Sequence, residues 1–219
     1  MSIFHYSVGR SGSTVVSQVL RRLFGPGNLC FSHDPVINHE GPMVVSIRDF
    51  RDAVVSLWRV MTHMTDEALN NGRKATREDL GEYLELVKTR VNTGLNVIVE
   101  RGDYMLVKYV DMILCHTETS SPGIVFCHYN FHALFNLIED YFGRGVSEVR
   151  RNAIETEFSM ETNKKRAAKL PNFRKWDEKM VHGNHIYTGE PGVWKKMVAE
   201  ADHEWLTAAL KDELDRWGY

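Results

Sequence analysis

The sequence has little cysteine, no long apolar run and no excess of charge of one sign. Three cysteines among 219 residues are too few for a disulfide-stapled fold, and they suit a reducing compartment. No apolar stretch approaches the roughly 20 residues that a membrane-spanning helix requires. With 27 basic and 29 acidic residues the formal net charge is −2, so no overall positive field favours nucleic acid or an anionic membrane. Any anion site must therefore be local.

The first residues also lack the features of a secretion signal, because residues 1–6 hold no basic segment followed by a long apolar core. Together with the few cysteines, this start predicts a cytoplasmic protein. A length of 219 residues, at roughly 150 residues per domain, predicts a single domain over residues 1–219.

Short apolar runs alternate with segments of helical periodicity along the chain. Four runs are predicted strands, at residues 3–8, 28–32, 43–47 and 104–109. Five segments are predicted helices, at residues 13–24, around 53–61, at 76–95, within the aromatic-rich 126–142, and as one long helix over 193–217. A strand, a tight turn and a helix, repeated at this pitch, predict an α/β fold in three layers, with a short parallel sheet and helices on both of its faces.

A turn rich in glycine and hydroxyl groups joins the first predicted strand to the first helix. Its chemistry-bearing residues are Gly9, Arg10, Ser11, Gly12, Ser13 and Thr14. Free backbone N–H groups and the positive end of the helix dipole favour an anion at such a turn. A nucleoside-triphosphate loop would carry lysine where this chain has Ser13. The turn therefore predicts a phosphate-like ligand other than magnesium-bound ATP, the alternative being a simple turn with a helix cap.

A second polar segment follows the third predicted strand. Arg48 stands at the carboxyl end of that strand, and Ser56 lies two turns along the next helix. In an open parallel sheet, ligands bind beyond the carboxyl ends of the strands. The turns after strands one and three could then contact two ends of one polyanionic ligand. Taken alone, Arg48-Asp49-Phe50-Arg51-Asp52 could equally be a surface ion-pair set at a helix start.

Together, the two segments resemble the sulfotransferases that use 3′-phosphoadenylyl sulfate. That family has Lys/Arg-Ser-Gly-Thr/Ser-Thr after its first strand, and later Arg-Asp-Pro-Arg-Asp-x-x-x-Ser. Residues 106–111 are similar to its Val-Arg-Tyr-Glu-Asp strand. Residues 189–195 resemble its late Gly-x-x-Gly-Asp-Trp-Lys loop. The four matches occur in family order between residues 6 and 195.

The resemblance implies sulfuryl transfer from 3′-phosphoadenylyl sulfate to a hydroxyl or amine acceptor, without a metal ion. The 5′-phosphosulfate would be held by Gly9, Arg10, Ser11, Gly12, Ser13 and Thr14. Arg48 and Ser56 would bind the 3′-phosphate, and Gly189 would keep the late turn. Two residues would be catalytic. His33 would act as general base, with His39 and Glu40 as reserve candidates, and Arg10 would stabilise the leaving group.

The chain also departs from the family pattern. Phe50 replaces a proline, and Val15 stands where cytosolic members place a tryptophan near the adenine. The late Arg-Lys-Gly contacts to the 3′-phosphate are replaced by Tyr187-Thr188-Gly189. This last change favours one alternative, a non-catalytic relative that binds nucleotide or glycan. The other alternative is a nucleotide-kinase-type phosphotransferase, which the missing lysine disfavours.

Metal and partners are predicted from weaker signals. Cys115-His116 and Cys127-His128 do not match the ligand spacings of zinc fingers or ribbons, so no metal site is predicted. The expected partner is a small-molecule or glycan acceptor, with no nucleic acid and no membrane. Residues 144–179 hold ten basic and six acidic residues, and we interpret this excess as a solvated helical face rather than a binding surface.

Overall fold

The computed structural model describes residues 2–10, 12–34, 39–62, 72–117, 125–171, 174–183 and 189–219, with the backbone alone for 114–117 and 125–128. Its strands and helices follow in chain order: β1 (Ile3–Ser7), α1 (Ser13–Phe24), β2 (Leu29–Ser32), β3 (Met43–Ile47), α2 (Phe50–Met61), α3 (Arg77–Arg90), α4 (Asn96–Arg101), β4 (Met105–Lys108), β5 (Ile113–Thr117), β6 (Val125–Tyr129), α5 (Phe131–Phe142), α6 (Glu148–Phe158), α7 (Met160–Ala167), α8 (Trp194–Met197), α9 (His203–Ala209) and α10 (Lys211–Trp217). Ser11, Tyr187 and Thr188, singled out in the sequence, lie outside the described residues.

Four strands form a parallel sheet in the order β2-β1-β3-β4. The two central strands, β1 and β3, are buried along their whole length. Such continuous burial is typical of parallel strands that are covered on both faces. The four predicted strands are therefore confirmed, and so is their parallel arrangement.

Each face of the sheet packs against its own set of helices. Phe4 and Tyr6 point to the face covered by α2, α3 and the C-terminal helices, where Trp58 is the largest buried side chain. Ile3 and Val44 point to the opposite face, which α1, α5 and α6 cover. The two-residue alternation of the strands thus separates two apolar clusters. The predicted three-layer α/β fold is confirmed.

A two-stranded antiparallel sheet, β5-β6, precedes α5 and was not predicted. The helical spacing of the aromatic residues in 126–142 holds only from Phe131 onward, because residues 125–129 form a strand. Cys115 and Cys127 stand opposite each other in this pair of strands. Their side chains, and those of His116 and His128, lie outside the described atoms.

The C-terminal segment is not the single long helix that its periodicity predicts. Val198 is extended, with φ −95° and ψ 145°, and separates α8 from the helices that follow. Here the backbone bonds to Ala75 instead of continuing the helix: Ala75 N–H donates to Met197 O (2.7 Å), and Ala199 N–H donates to Ala75 O (2.8 Å). A second interruption at Leu210 separates α9 from α10. Of the described helices, none has the length and apolar character to span a bilayer.

Candidate functional site

The carboxyl ends of all four parallel strands converge on one cavity. The glycine-rich turn follows β1, His33 follows β2, Arg48 follows β3 and Tyr109 follows β4. The cavity has a volume of about 110 Å³. Its lining residues are Arg10, Gly12, Ser13, Thr14, Val15, Phe31, His33, Arg48, Tyr109, Tyr129, Met180 and His182. This is the edge at which open parallel sheets bind ligands.

The turn after β1 is built around left-handed backbone conformations. Gly9, Arg10 and Gly12 have φ values of 101°, 61° and 76°. For Arg10, which carries a Cβ, such a value is sparsely populated and marks local strain that often accompanies a functional site. Gly12 precedes α1 without a side-chain cap, and Gly12, Ser13 and Thr14 at this positive end of the helix line the cavity. The geometry suits an anion.

The structure brings three of the predicted site residues together. The Arg10 Nε donates to Ser56 Oγ at 3.0 Å, and Arg48 Nη1 donates to the carbonyl of Arg10 at 3.1 Å. Arg48 also pairs with the buried carboxylate of Asp52 at 2.9 Å and packs over the Tyr109 ring. The turn after β1 and the turn after β3 therefore form one continuous cationic wall.

A third arginine, Arg59, adds to this positive charge. It lies on α2, nearly one turn beyond Ser56, and is almost fully buried. Burial, and then the charges of Arg59 and Arg48, lower the pKa of Arg10 to about 9. Burial also acts to lower the pKa of Arg48, but the Asp52 carboxylate, together with Tyr109 and Asp49, outweighs it and raises that pKa above its usual value. A concentration of guanidinium groups of this kind favours a bound anion.

The hydrogen-bonding of His33 fixes its tautomer. Its Nδ1 lies 2.8 Å from the Ser7 carbonyl oxygen, which can only accept, so Nδ1 carries the proton. The Nε2 of the neutral ring then has a free lone pair. Burial, reinforced by the charges of Arg90 and Arg10, lowers the pKa of His33 below its ordinary value despite the bond to Ser7. His33 is therefore neutral at pH 7.

The two reserve candidates lie at the opposite end of the sheet. His39 Nε2 is 3.1 Å from the carbonyl of Ser2, which precedes the first residue of β1. Glu40 is its exposed neighbour. At about 3.3 Å per residue, the five residues of β1 hold this end roughly 16 Å from the turn. Neither His39 nor Glu40 lines the cavity, so the structure does not bring these two reserve candidates to the site.

Gly189 is linked to the site by a hydrogen bond with Tyr109, which lines the cavity. The Tyr109 hydroxyl donates to the Gly189 carbonyl at 3.1 Å. Gly189 has φ 82°, and a Cβ there would lie 2.8 Å from Met160 Sδ, so both the backbone angle and the space favour glycine. Asp52 holds the same late segment from the other side, accepting from the N–H groups of Gly192 (2.7 Å) and Trp194 (2.9 Å). One buried carboxylate thus joins Arg48 to the late loop.

Sequence reasoning missed Arg90, Arg59 and Asp52 as site residues. Arg90 Nη1 donates to the carbonyl of Val8 at 3.2 Å, and a Cβ on Gly9 would lie 2.9 Å from that same nitrogen. Arg90, at the end of α3, therefore stabilises the turn after β1. A signal existed for Arg59, a charged residue one position after Trp58 on the apolar side of α2. No group of three or more metal-ligating side chains occurs among the described residues.

Comparison with known proteins supports the architecture. No family model and no curated protein matches the sequence. Among solved structures, the chain is similar to mouse sulfotransferase SULT7A1 complexed with PAP, with a TM-score of 0.64. The similarity covers 97% of this chain and 83% of the mouse chain at 14% sequence identity. This chain has a sulfotransferase-type fold. The sulfotransferase-type fold implied by the four sequence segments is thereby confirmed, whereas an identity of 14% carries no residue role from one protein to the other.

Proposed function

We propose that this protein is a sulfotransferase that moves a sulfuryl group from 3′-phosphoadenylyl sulfate to a hydroxyl or amine acceptor. The observation that carries the proposal is a single cavity lined by Arg10, Arg48 and the neutral His33. A cationic wall suits a substrate with several phosphate and sulfate oxygens. A neutral histidine facing the same space suits an acceptor that must lose a proton.

The residues present fit the anionic part of such a nucleotide. Within the described structure the buried Arg48 Nε has no hydrogen-bond partner, so a donor is available at the 3′-phosphate position expected from the sequence. The cavity, at about 110 Å³, is smaller than the roughly 300–1,000 Å³ of typical ligand pockets. It matches the charged end of the nucleotide rather than the whole molecule.

In the proposed reaction, His33 Nε2 accepts the proton of the acceptor as the new oxygen–sulfur or nitrogen–sulfur bond forms. The bond between sulfur and the bridging oxygen of the phosphosulfate breaks, and that oxygen leaves with the electron pair. Arg10 and the N–H groups at the start of α1 oppose the charge that grows on it. The Ser7 carbonyl holds the His33 ring in the productive tautomer.

The experiment that tests the proposal compares thermal shifts with adenosine 3′,5′-bisphosphate and with magnesium-ATP. Stabilisation by the bisphosphate alone is expected, and stabilisation by magnesium-ATP alone would favour the phosphotransferase alternative. Transfer of labelled sulfate, measured in excess EDTA, then separates an enzyme from a nucleotide-binding relative. Because Asp52 is already bonded to Arg48 and two backbone N–H groups, we expect EDTA to leave the transfer rate unchanged.

A further inference from the structure

The most basic part of the chain is a segment that the proposed reaction does not use. Residues 164–179 contain seven basic and two acidic residues, a local charge of +5. The rest of the chain carries 20 basic and 27 acidic residues. A charge concentrated in this way creates a local positive field on a molecule whose overall net charge is −2.

The same segment exposes a large aromatic ring. Trp176 is 65% exposed, more than any other tryptophan among the described residues, and its ring lies 5.5 Å from that of His182. Tryptophan is highly buried on average, and aromatic residues and arginine are enriched where proteins bind partners. A solvated helical face accounts for the basic residues but not for this ring.

Trp176 is held in position by the backbone of a short hairpin, residues 175–183. Trp176 and His182 form an antiparallel bridge, and Gly183 N–H donates to Lys175 O at 3.1 Å. The turn between them is closed by the Asp177 carboxylate, which accepts from the N–H groups of Lys179 (3.0 Å) and Val181 (2.9 Å). The hairpin thus places the ring at the surface without burying it.

The hairpin borders the candidate active site. Its inward side chains, Met180 and His182, line the cavity that contains Arg10 and His33. It is also tied to the neighbouring helices, because Gln18 of α1 donates to Lys179 O (2.7 Å) and to Asn163 of α7 (3.2 Å).

Arg166 of α7 joins the same set of contacts, because its Nη1 donates to Asn163 Oδ1 at 3.4 Å. We use the term basic rim for four residues: Arg166, Arg174, Lys175 and Trp176. Lys179 is left out because its ammonium pairs with Glu157 at 2.8 Å.

We propose that the basic rim binds the acceptor, and that this acceptor is an anionic oligosaccharide. The inference rests on the proposed function and adds the substrate class. A sugar ring offers a flat face of C–H groups that fits the face of Trp176, while its carboxylate or sulfate groups lie at the ring edge, within reach of Lys and Arg side chains. A small neutral acceptor would use neither the ring nor the charge outside the cavity.

The test titrates a hyaluronan hexasaccharide, whose charge comes from carboxylates, and follows tryptophan fluorescence and heat. Trp176→Ala should weaken binding by about 5- to 10-fold, the scale of losing a central aromatic contact, and Trp176→Phe should recover part of it. The double variant Arg174→Gln/Lys175→Gln should lose about tenfold and bind with a weaker salt dependence. Lys211→Gln, at an exposed lysine on α10, is the control and should bind like the parent protein.

Three comparisons can overturn the inference. Maltohexaose, a neutral chain of the same length, should bind at least about tenfold more weakly, and equal binding contradicts a charge-selective site. Tighter binding of a polyglutamate peptide, or of phosphatidylcholine vesicles containing phosphatidylserine, contradicts a saccharide partner. Unchanged affinity in both rim variants contradicts the location.

Thermal shifts with adenosine 3′,5′-bisphosphate on the same samples separate the two proposals. All rim variants should keep the bisphosphate shift, which also shows that they fold. Binding of the bisphosphate without the hexasaccharide overturns the acceptor class alone. Binding of the hexasaccharide without the bisphosphate supports a saccharide site and contradicts the proposed sulfuryl transfer.

Discussion

His33 can act as a base only through Nε2, because its Nδ1 proton is committed to the Ser7 carbonyl. We expect His33→Ala to lower the transfer rate by about 10²-fold or more, the usual contribution of a general base, while the affinity for adenosine 3′,5′-bisphosphate stays nearly unchanged. His39→Ala is the matched control, since His39 lies at the opposite end of β1, and it should keep full activity. Single-turnover transfer and calorimetric titration measure the two quantities. Full activity in His33→Ala would show that His33 is not the general base.

The same histidine sets the expected pH profile. The base must be neutral, and burial lowers the pKa of His33 below its ordinary 6.5. The rate of transfer should therefore reach half of its maximum at a pH below 6.5 and be flat at alkaline pH, where the ring is neutral. A rate that still rises between pH 7 and 8 would point to another base.

Arg48 is expected to carry much of the charge that opposes the 3′-phosphate. Arg48→Gln keeps a donor for the buried Asp52 but removes the guanidinium, so affinity for adenosine 3′,5′-bisphosphate should fall about 10- to 100-fold. Affinity for adenosine 5′-monophosphate should barely change, because that nucleotide has no 3′-phosphate. Arg51→Gln is the matched control: Arg51 pairs with Asp49 near the start of α2 and does not line the cavity. Equal losses for both nucleotides would make Arg48 a structural residue.

Site residues that follow a strand could be predicted from the sequence, and those that act through distant partners could not. Arg10, His33 and Arg48 each follow a short apolar run, so a parallel sheet places them at one edge. Asp52 is different, because its two backbone partners lie 140 and 142 residues further along the chain. No pattern in the sequence around Asp52 predicts such a contact.

At the scale of elements, the turn after β1 depends on Gly12, the glycine that directly precedes α1. A Cβ on Gly12 would lie 2.5 Å from Tyr109 Cδ2, and φ at Gly12 is 76°. Gly12→Ala should therefore displace the Tyr109 ring from Arg48 and abolish the thermal shift with adenosine 3′,5′-bisphosphate. Gly25→Ala is the matched control at the other end of α1, because φ there is 91° but the nearest atom to a Cβ is 3.7 Å away. It should cost about 1 kcal/mol of stability or more and keep the nucleotide shift. Similar nucleotide binding in both variants would show that the turn tolerates a side chain.

The elements of the parallel sheet were predictable because each has one strong period. The β1, β3, α1 and α2 segments have either continuous apolar runs or apolar residues at helical spacing, and both patterns reflect burial. The β5-β6 pair was not predicted because its second strand, Val125–Tyr129, is followed almost at once by a helix rich in aromatic residues, whose spacing masks it. The break in the C-terminal helix at Val198 was not predicted, because it depends on hydrogen bonds to Ala75, more than 120 residues earlier.

At the scale of the whole molecule, a buried histidine links the layers of the fold. His5, on the central strand β1, is fully buried. Its Nδ1 lies 2.7 Å from Ser17 Oγ on α1, and its Nε2 lies 3.0 Å from Ser46 Oγ on β3. Burial, and then repulsion from His33 when that ring is itself protonated in acid, lowers the pKa of His5 from 6.5 to about 3. The native structure therefore holds this ring neutral over a range in which the unfolded chain would protonate it.

This difference predicts how stability depends on pH. Well above pH 6.5 both states are neutral at His5, and its contribution is fully present. As the pH falls below 6.5 only the unfolded chain gains the proton, so stability is lost down to about pH 3, with about 2 kcal/mol gone by pH 5. His5→Gln keeps hydrogen-bonding groups but cannot titrate here, so urea unfolding at pH 7 and pH 5 should show a smaller difference than in the parent protein. The exposed His132→Gln should keep the parent difference. Because His33 shifts in the same direction, His5→Gln should remove only part of the pH dependence, and an unchanged difference would mean that His5 is protonated in the folded protein.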